Sequence, residues 1–196
     1  GFGGEKQGEW PEKVVLELGC GWGQYTLELA RRYPEKFFVG VDRKADRIWM
    51  GAKEALGSEK KVGVGGEFGE EALRNVAFLH TGIDKLDEWF EPESVEEIWI
   101  TFPDPYPKPS KAEQRLISPR FQEIYRKICK PGAKIHLKTD NAALFDYALG
   151  VVGLCEEVIR DVHALDEVPD LLQVLTYYEK KFMEQGVAIN YLRFTL

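Results

Sequence analysis

Cysteine is scarce in this chain. Three residues, Cys20, Cys129 and Cys155, form an odd set with no C-x-x-C spacing among 196 residues. That pattern points to reduced thiols in a cytoplasmic protein. Histidine is as sparse: His80, His136 and His163 lie far apart and alternate with apolar neighbours, so they read as strand or surface residues and no metal is expected. Long hydrophobic runs are missing, the longest being strand-length pieces such as Val14-Val15-Leu16, which leaves nothing to span a bilayer. No charged-then-apolar signal segment opens the sequence. It begins Gly1-Phe2-Gly3-Gly4, without an initiator Met, so residues 1–13 are expected to be a trimmed or flexible end and 14–196 one domain.

Positive charge is also in deficit, with a formal net charge of −7, which taken globally argues against a nucleic-acid partner. The distribution argues otherwise. Between Ile100 and Asp140 nine Lys and Arg face four acids, so this stretch carries +5 and the remainder −12. The basic share begins at a proline cluster, "FPDPYPKP", in which Pro103, Pro105, Pro107 and Pro109 follow a run that reads as a buried strand.

Along the chain, β-branched and apolar runs alternate with segments of helical spacing. Strands are expected at 14–18, 37–42, 76–80, 97–102, 133–139, 156–162 and 190–196. Helices are expected at 24–33, 45–56, 85–90, 119–129, 141–150 and 176–185. Residues 57–75, rich in Gly and charge, read as a loop. Strand-helix-strand order implies an α/β fold: a mostly parallel, seven-stranded sheet covered by helices on both faces. Ligands of such sheets bind outside the carboxyl ends of the strands, which directs attention to residues 17–23, 42, 81–84 and 102–109.

The first of these places reads "ELGCGWGQ". Its glycines, Gly19, Gly21 and Gly23, fail the dinucleotide spacing, which requires a glycine where Gln24 stands. Glu17, two residues before the first glycine, is a poor neighbour for a pyrophosphate and a good one for a cationic ligand bearing an ammonium and a sulfonium. Asp42 ends the second strand, where a carboxylate can accept both hydroxyls of a ribose. Together they point to S-adenosylmethionine. The plain structural alternative is a packing turn with Asp42 capping the next helix.

"ELGCGWG", "GVD", "NVAFL", "FPDPYPK", "RLISPRF", "KPGAKIHLKTDN" and "TYYEKKF" occur in this order over residues 14 to about 186. In these motifs the sequence resembles the tRNA (guanine-N7)-methyltransferases of the bacterial single-subunit type. The resemblance implies a Rossmann-like methyltransferase fold, S-adenosylmethionine as donor with S-adenosylhomocysteine as product, and methylation of a guanine in the variable region of tRNA. It implies that Glu17, Asp42 and the glycines hold the cofactor and that the backbone at Gly82 and Ile83 borders its adenine. It makes Asp104 the active-site carboxylate and Lys108, Asp140, Thr176 and Glu179 substrate contacts. No obligatory protein partner and no membrane are implied. Two departures stand out: Gly82 replaces the acid or amide many members carry beside the adenine, and the basic run after the prolines, "KPSKAEQR", is diluted by Pro109, Ser110 and Glu113.

Chemistry narrows the roles. Guanine N7 presents an in-plane lone pair, so no proton must leave before alkylation, and a carboxylate can orient the base through N1–H and the 2-amino group. Asp104 is therefore expected to orient rather than to abstract a proton. Lys108 and Lys138 are expected at phosphate or ribose, Lys111 and Arg115 further along the RNA, and Tyr106 either stacked on the base or packed on its neighbouring prolines. Asp84 and Asp87 read as helix-start carboxylates, and Trp89, Trp99, Phe121 and Tyr125 as core. The acidic balance also suits a competing reading, a methyltransferase for a small molecule or protein, but that reading leaves the basic residues around Asp104 unexplained. A catalytically silent binding module would not need Glu17, Asp42, Asp104 and Asp140 together.

Overall fold

The computed structural model describes residues 10–57 and 72–196. Residues 1–9 of the expected N-terminal tail and most of the 57–75 loop fall outside those residues, while Trp10, within that tail, stacks on Phe90. Seven strands form one sheet: β1 Val14–Leu18, β2 Phe37–Asp42, β3 Val76–His80, β4 Val95–Thr101, β5 Cys129–Thr139, β6 Cys155–Ile159 and β7 Asn190–Thr195, in the order β3-β2-β1-β4-β5-β7-β6. All neighbouring pairs are parallel except those of β7, which runs antiparallel to β5 and β6. The helices are α1 Gln24–Arg32, α2 Ala45–Ala55, α3 Pro119–Ile128, α4 Ala142–Val151 and α5 Tyr177–Glu184. The expected 85–90 helix is a 3-10 segment, Ile83–Glu88, and further 3-10 turns at Pro109–Gln114, Val162–Ala164 and Asp170–Leu172 carry too few residues to leave a periodic signal. β5 begins earlier than expected, running across Pro131 and Gly132 with a shifted register against β4.

Each sheet face buries its own apolar set. On one, Leu16, Leu18, Val41, Ile98 and Leu137 meet Phe121, Tyr125 and Phe145 from α3 and α4. On the other, Val15 and Trp99 meet Tyr25 and Leu29 of α1 with Val162, Leu172, Val174 and Tyr191. The alternation of β1 thus sends Val15, and by the two-residue period Glu17, toward α1. Trp99, Phe121 and Tyr125 are core residues and Trp89 packs partly buried against the cluster that holds Phe121 and Tyr125, as their spacing predicts.

A buried polar group ties the second face together. Glu97 accepts from Trp99 Nε1 (2.7 Å) and Lys36 Nζ (2.7 Å) and lies 3.2 Å from His136 Nε2. Burial pushes its carboxyl up, but His136 and Lys36 outweigh that and hold it at about 2. His136 stacks on Trp99 at 3.9 Å and shares a hydrogen bond with the Tyr191 hydroxyl (2.9 Å). No helix among the described residues is long and apolar enough to cross a membrane.

The sheet order reverses between β1 and β4: the chain winds outward through β2 and β3, then returns to β4 on the other side of β1. A crevice at such a point opens above the carboxyl ends of both halves.

Candidate active site

The turn from β1 into α1 places three glycines at positive φ: Gly19 at 74°, Gly21 at 57° and Gly23 at 71°. Gly19 N (2.8 Å) and Cys20 N (3.1 Å) both donate to Val41 O, while Gly21 N donates to Asp42 Oδ2 (2.9 Å). Asp42, nearly buried, also accepts from Lys44 N (2.9 Å) through Oδ1. The loop is therefore clasped to the end of β2 before any ligand arrives. Gly19 is exposed and Gly21 half-buried, and a Cβ on either would meet only ordinary contacts, Leu116 Cδ1 at 3.9 Å and Arg47 Nη1 at 4.0 Å. Gly23 differs, because a Cβ there would fall 2.2 Å from the Phe78 ring. The same ring would be struck from Gly40 (2.8 Å) and Gly51 (2.7 Å), so three glycines from loop, strand and helix form a slot for one aromatic of β3. Gly19 and Gly21 shape the crevice, and Gly23 has a packing duty that the spacing does not reveal.

Glu17 lies below the loop and is buried. Its Oε2 accepts from Thr26 N (2.9 Å) and from the Thr26 hydroxyl, and Oε1 accepts from the Thr101 hydroxyl (2.8 Å). Burial pushes the carboxyl up to about 7; the Thr26 and Thr101 bonds oppose this and the nearby Asp42 charge adds to it. No Lys or Arg among the described residues bonds to or ion-pairs with it. A buried acid poised near neutrality and lacking a protein cation fits a ligand that brings positive charge of its own. With Asp42 and the uncrowded glycine turn, the donor set fits S-adenosylmethionine.

At the end of β3, Thr81 N donates to Asp42 O (3.1 Å), and Gly82 opens the 3-10 segment with Ile83 half-buried behind it. Asp87 is ion-paired with Lys127 (2.6 Å).

The proline segment leaves β4 under visible constraint. Phe102 N donates to Lys138 O (2.8 Å) as a last tie to β5. Phe102 (φ 48°) and Tyr106 (φ 41°) both occupy the left-handed region, which side-chain-bearing residues adopt at a cost of about 1–3 kcal/mol each. Between them Asp104 is exposed and has no hydrogen-bond or ion-pair partner among the described residues. Prolines alone do not hold this shape. Arg115 Nε donates to Pro105 O (3.1 Å) and Tyr106 O (3.3 Å), its Nη2 donates to Tyr106 O (3.0 Å), and the guanidinium lies 4.1 Å from the centre of the Tyr147 ring of α4. Arg115, expected along the RNA, is corrected to an inward clamp. Lys108 and Lys111 remain exposed without ion-pair partners among the described residues.

β5 ends beside this segment. Thr139 Oγ1 accepts from Asn141 N (3.1 Å) and Asn141 Oδ1 caps α4 by accepting from Leu144 N (2.8 Å), which leaves Asp140 half-buried with no partner among the described residues. Lys138, two residues earlier, is fully buried. Its Nζ donates to Leu172 O (3.1 Å), Val174 O (3.2 Å) and Glu179 Oε2 (2.8 Å), spending all three protons. Burial lowers its pKa, and Glu179 opposes that. Glu179 is equally buried and also meets His163 Nε2 (3.1 Å), while Thr176 Oγ1 accepts from Glu179 N (3.0 Å) to cap α5. Lys138, expected at phosphate or ribose, spends its donors on the protein here, and Thr176 and Glu179, expected at the substrate, are buried in this structure. The T-x-x-E segment instead staples residues 172–179 onto the sheet. Among the described residues, no three His, Cys, Asp or Glu converge where a metal ion could sit.

Comparison with known proteins gives the family and the fold. Residues 11–192 match a family model, Methyltransf_4, described as "Putative methyltransferase". The tRNA (guanine-N(7)-)-methyltransferase of Porphyromonas gingivalis is 43% identical over 188 residues, covering 93% of this chain and 71% of that protein. The protein of the same description from Cytophaga hutchinsonii is 40% identical, over 96% of this chain and 85% of its own length. Among solved structures, the 16S rRNA methyltransferase KamB superposes with a TM-score of 0.64 at 15% identity, over 94% of this chain and 87% of that one, a likeness of fold alone.

Proposed function

The chain belongs to the tRNA (guanine-N7)-methyltransferase family, and we propose that it transfers a methyl group from S-adenosylmethionine to N7 of a guanine in the variable region of tRNA. The observation that carries the reading is the pairing of two partnerless carboxylates, Asp104 and Asp140, at the ends of adjoining strands, with a glycine crevice backed by Glu17 and Asp42 on the other side of the sheet's reversal point.

S-adenosylmethionine supplies the methyl group as an electrophile carried on a sulfonium. The chain's residues bind, orient and neutralise. Asp42 keeps a free lone pair on each oxygen for ribose hydroxyls while its other contacts hold the loop. Glu17, ionised when a cation approaches, supplies the counter-charge, and the uncrowded faces of Gly19 and Gly21 admit the ligand against the backbone. The base needs no deprotonation, so Asp104 orients it by accepting from guanine N1–H and the 2-amino group, and favours the positive charge that N7 alkylation builds on the purine. Asp140 offers a second acceptor from the neighbouring strand. Lys108 and Lys111 meet phosphates on the approach to Asp104. Thr176 and Glu179 act at a distance, by fixing the segment that floors the site. The support for cytoplasmic residence is the set of three free cysteines and the nature of the substrate.

The test is methyl transfer from labelled S-adenosylmethionine to unmodified tRNA, with the product mapped by cleavage at N7-methylguanine. Label in the variable region, lost in Asp104→Ala, is the expected result. N1-methylguanine, or label that enters only protein or small molecules, refutes the reading.

A further inference from the structure

We propose that Asp84, two residues beyond the position the sequence pattern singles out, supplies the side-chain recognition of the adenine base in the cofactor crevice; the inference rests on the proposed function. In the sheet order β3-β2-β1 a nucleoside whose ribose is held by Asp42 at the end of β2 has its tail over the glycine turn of β1, so its base lies toward the end of β3. Residues 81–84 leave β3 at that point, tied to it by Thr81 N donating to the carbonyl of Asp42 itself (3.1 Å).

Gly82 has no side chain with which to read a base. The volume such a side chain would enter is nevertheless filled: a Cβ on Gly82 would lie 2.5 Å from Asp84 Oδ1. Asp84 folds back over the Gly82 backbone and puts a carboxylate where residue 82 would have put one. Its helix-start position explains nothing further, since no side chain caps the 3-10 segment that begins at Ile83. The carboxylate is exposed and has no hydrogen-bond or ion-pair partner among the described residues. Its neighbour Asp87, by contrast, is engaged by Lys127. A carboxylate accepts and cannot donate, which suits the exocyclic amine of adenine and rejects the carbonyl of hypoxanthine at the same ring position. Gly82 is then the residue that makes room for Asp84, since any larger one would displace it.

The experiment measures binding by calorimetry on the full chain with two ligands, S-adenosylhomocysteine and S-inosylhomocysteine. Wild type is expected to prefer the adenosyl ligand by about 10- to 100-fold, the range of a hydrogen bond to a charged group. Asp84→Ala should close that gap by weakening the adenosyl ligand and relieving the repulsion of the hypoxanthine carbonyl, so inosyl binding at or above the wild-type level certifies the fold of the variant. Asp84→Asn should close it from the other side, because its amide can turn its carbonyl to adenine or its NH2 to hypoxanthine. A gap that survives in Asp84→Ala, or equal loss of both ligands, overturns the role of Asp84 while leaving the proposed function standing. Failure of wild type to bind either ligand overturns both.

Discussion

Glu17 offers the sharpest physical test, because its titration is displaced without any protein cation beside it. Unfolded, the carboxyl ionises near its ordinary 4.5; folded, burial holds its proton to about 7. Between those values the folded chain binds more protons than the unfolded one, so this residue's contribution to stability falls as pH rises from about 4.5 and is fully lost above about 7. At about 1.4 kcal/mol per pH unit, the displacement is worth roughly 3 kcal/mol. Glu17→Gln keeps the shape, still accepts from Thr26 and cannot ionise. Urea unfolding followed by tryptophan fluorescence, for both proteins at pH 5 and pH 8, isolates the effect, since every other group titrates alike in the pair. The stability of the variant relative to wild type should rise by roughly 3 kcal/mol from pH 5 to pH 8. A difference that does not change with pH, or one that moves in favour of wild type, refutes the claim that Glu17 is an uncompensated buried acid. The stability given up at neutral pH is what leaves a counter-charge available to a cationic ligand.

Other consequences are as direct. Arg115→Ala removes the contacts on the Pro105 and Tyr106 carbonyls; kcat for tRNA should fall about 10- to 100-fold with little change in cofactor affinity, and Arg115→Lys should recover only part, as single-turnover kinetics can read. Lys138→Met leaves Glu179 buried with only the His163 ring beside its carboxylate and should cost about 3–5 kcal/mol in denaturant unfolding, most of it regained in Lys138→Met/Glu179→Leu. The double variant Lys108→Ala/Lys111→Ala should weaken RNA binding and flatten its salt dependence, the slope of log K against log salt falling by about 2. An unchanged slope would place the phosphate contacts elsewhere.

Much of the fold was legible because its signals are local. The β-branched run at 14–18, the two strands at 37–42 and 76–80 and the proline after α1 each announce themselves within a few residues. The crevice was legible for the same reason, since Glu17, the glycines and Asp42 mark the ends of the first two strands. What escaped depends on partners distant in sequence. Nothing in "KAEQR" shows that Arg115 turns back to grip two carbonyls while Tyr147 covers it. Lys138 sits among basic residues and reads as a phosphate contact until the 172–179 segment is laid over it. Thr26 and Thr101, which hold the two oxygens of Glu17, belong to a helix and a strand whose apposition only the sheet order reveals. One trace was available: "TYYE" has the spacing at which Thr176 caps a helix and takes the N–H of Glu179, a sign that the threonine serves the helix before any ligand.

The slot around Phe78 has a consequence for how such a sequence can change over time. Gly23, Gly40 and Gly51 each exclude a methyl group at this one ring, so a shared part of their tolerance is set by position 78, although a Cβ on Gly51 would also lie 2.9 Å from Trp22 O and one on Gly40 3.0 Å from Cys20 Sγ. Replacements at the three glycines are conditionally harmful: damaging while Phe78 is present, and eased once a smaller residue stands there. Substitution at 78 must therefore come first. For Gly23 a second obstacle persists, since its left-handed backbone disfavours a side chain whatever the space. A cofactor-side loop and an edge strand more than fifty positions away are thus bound to a single order of mutational events.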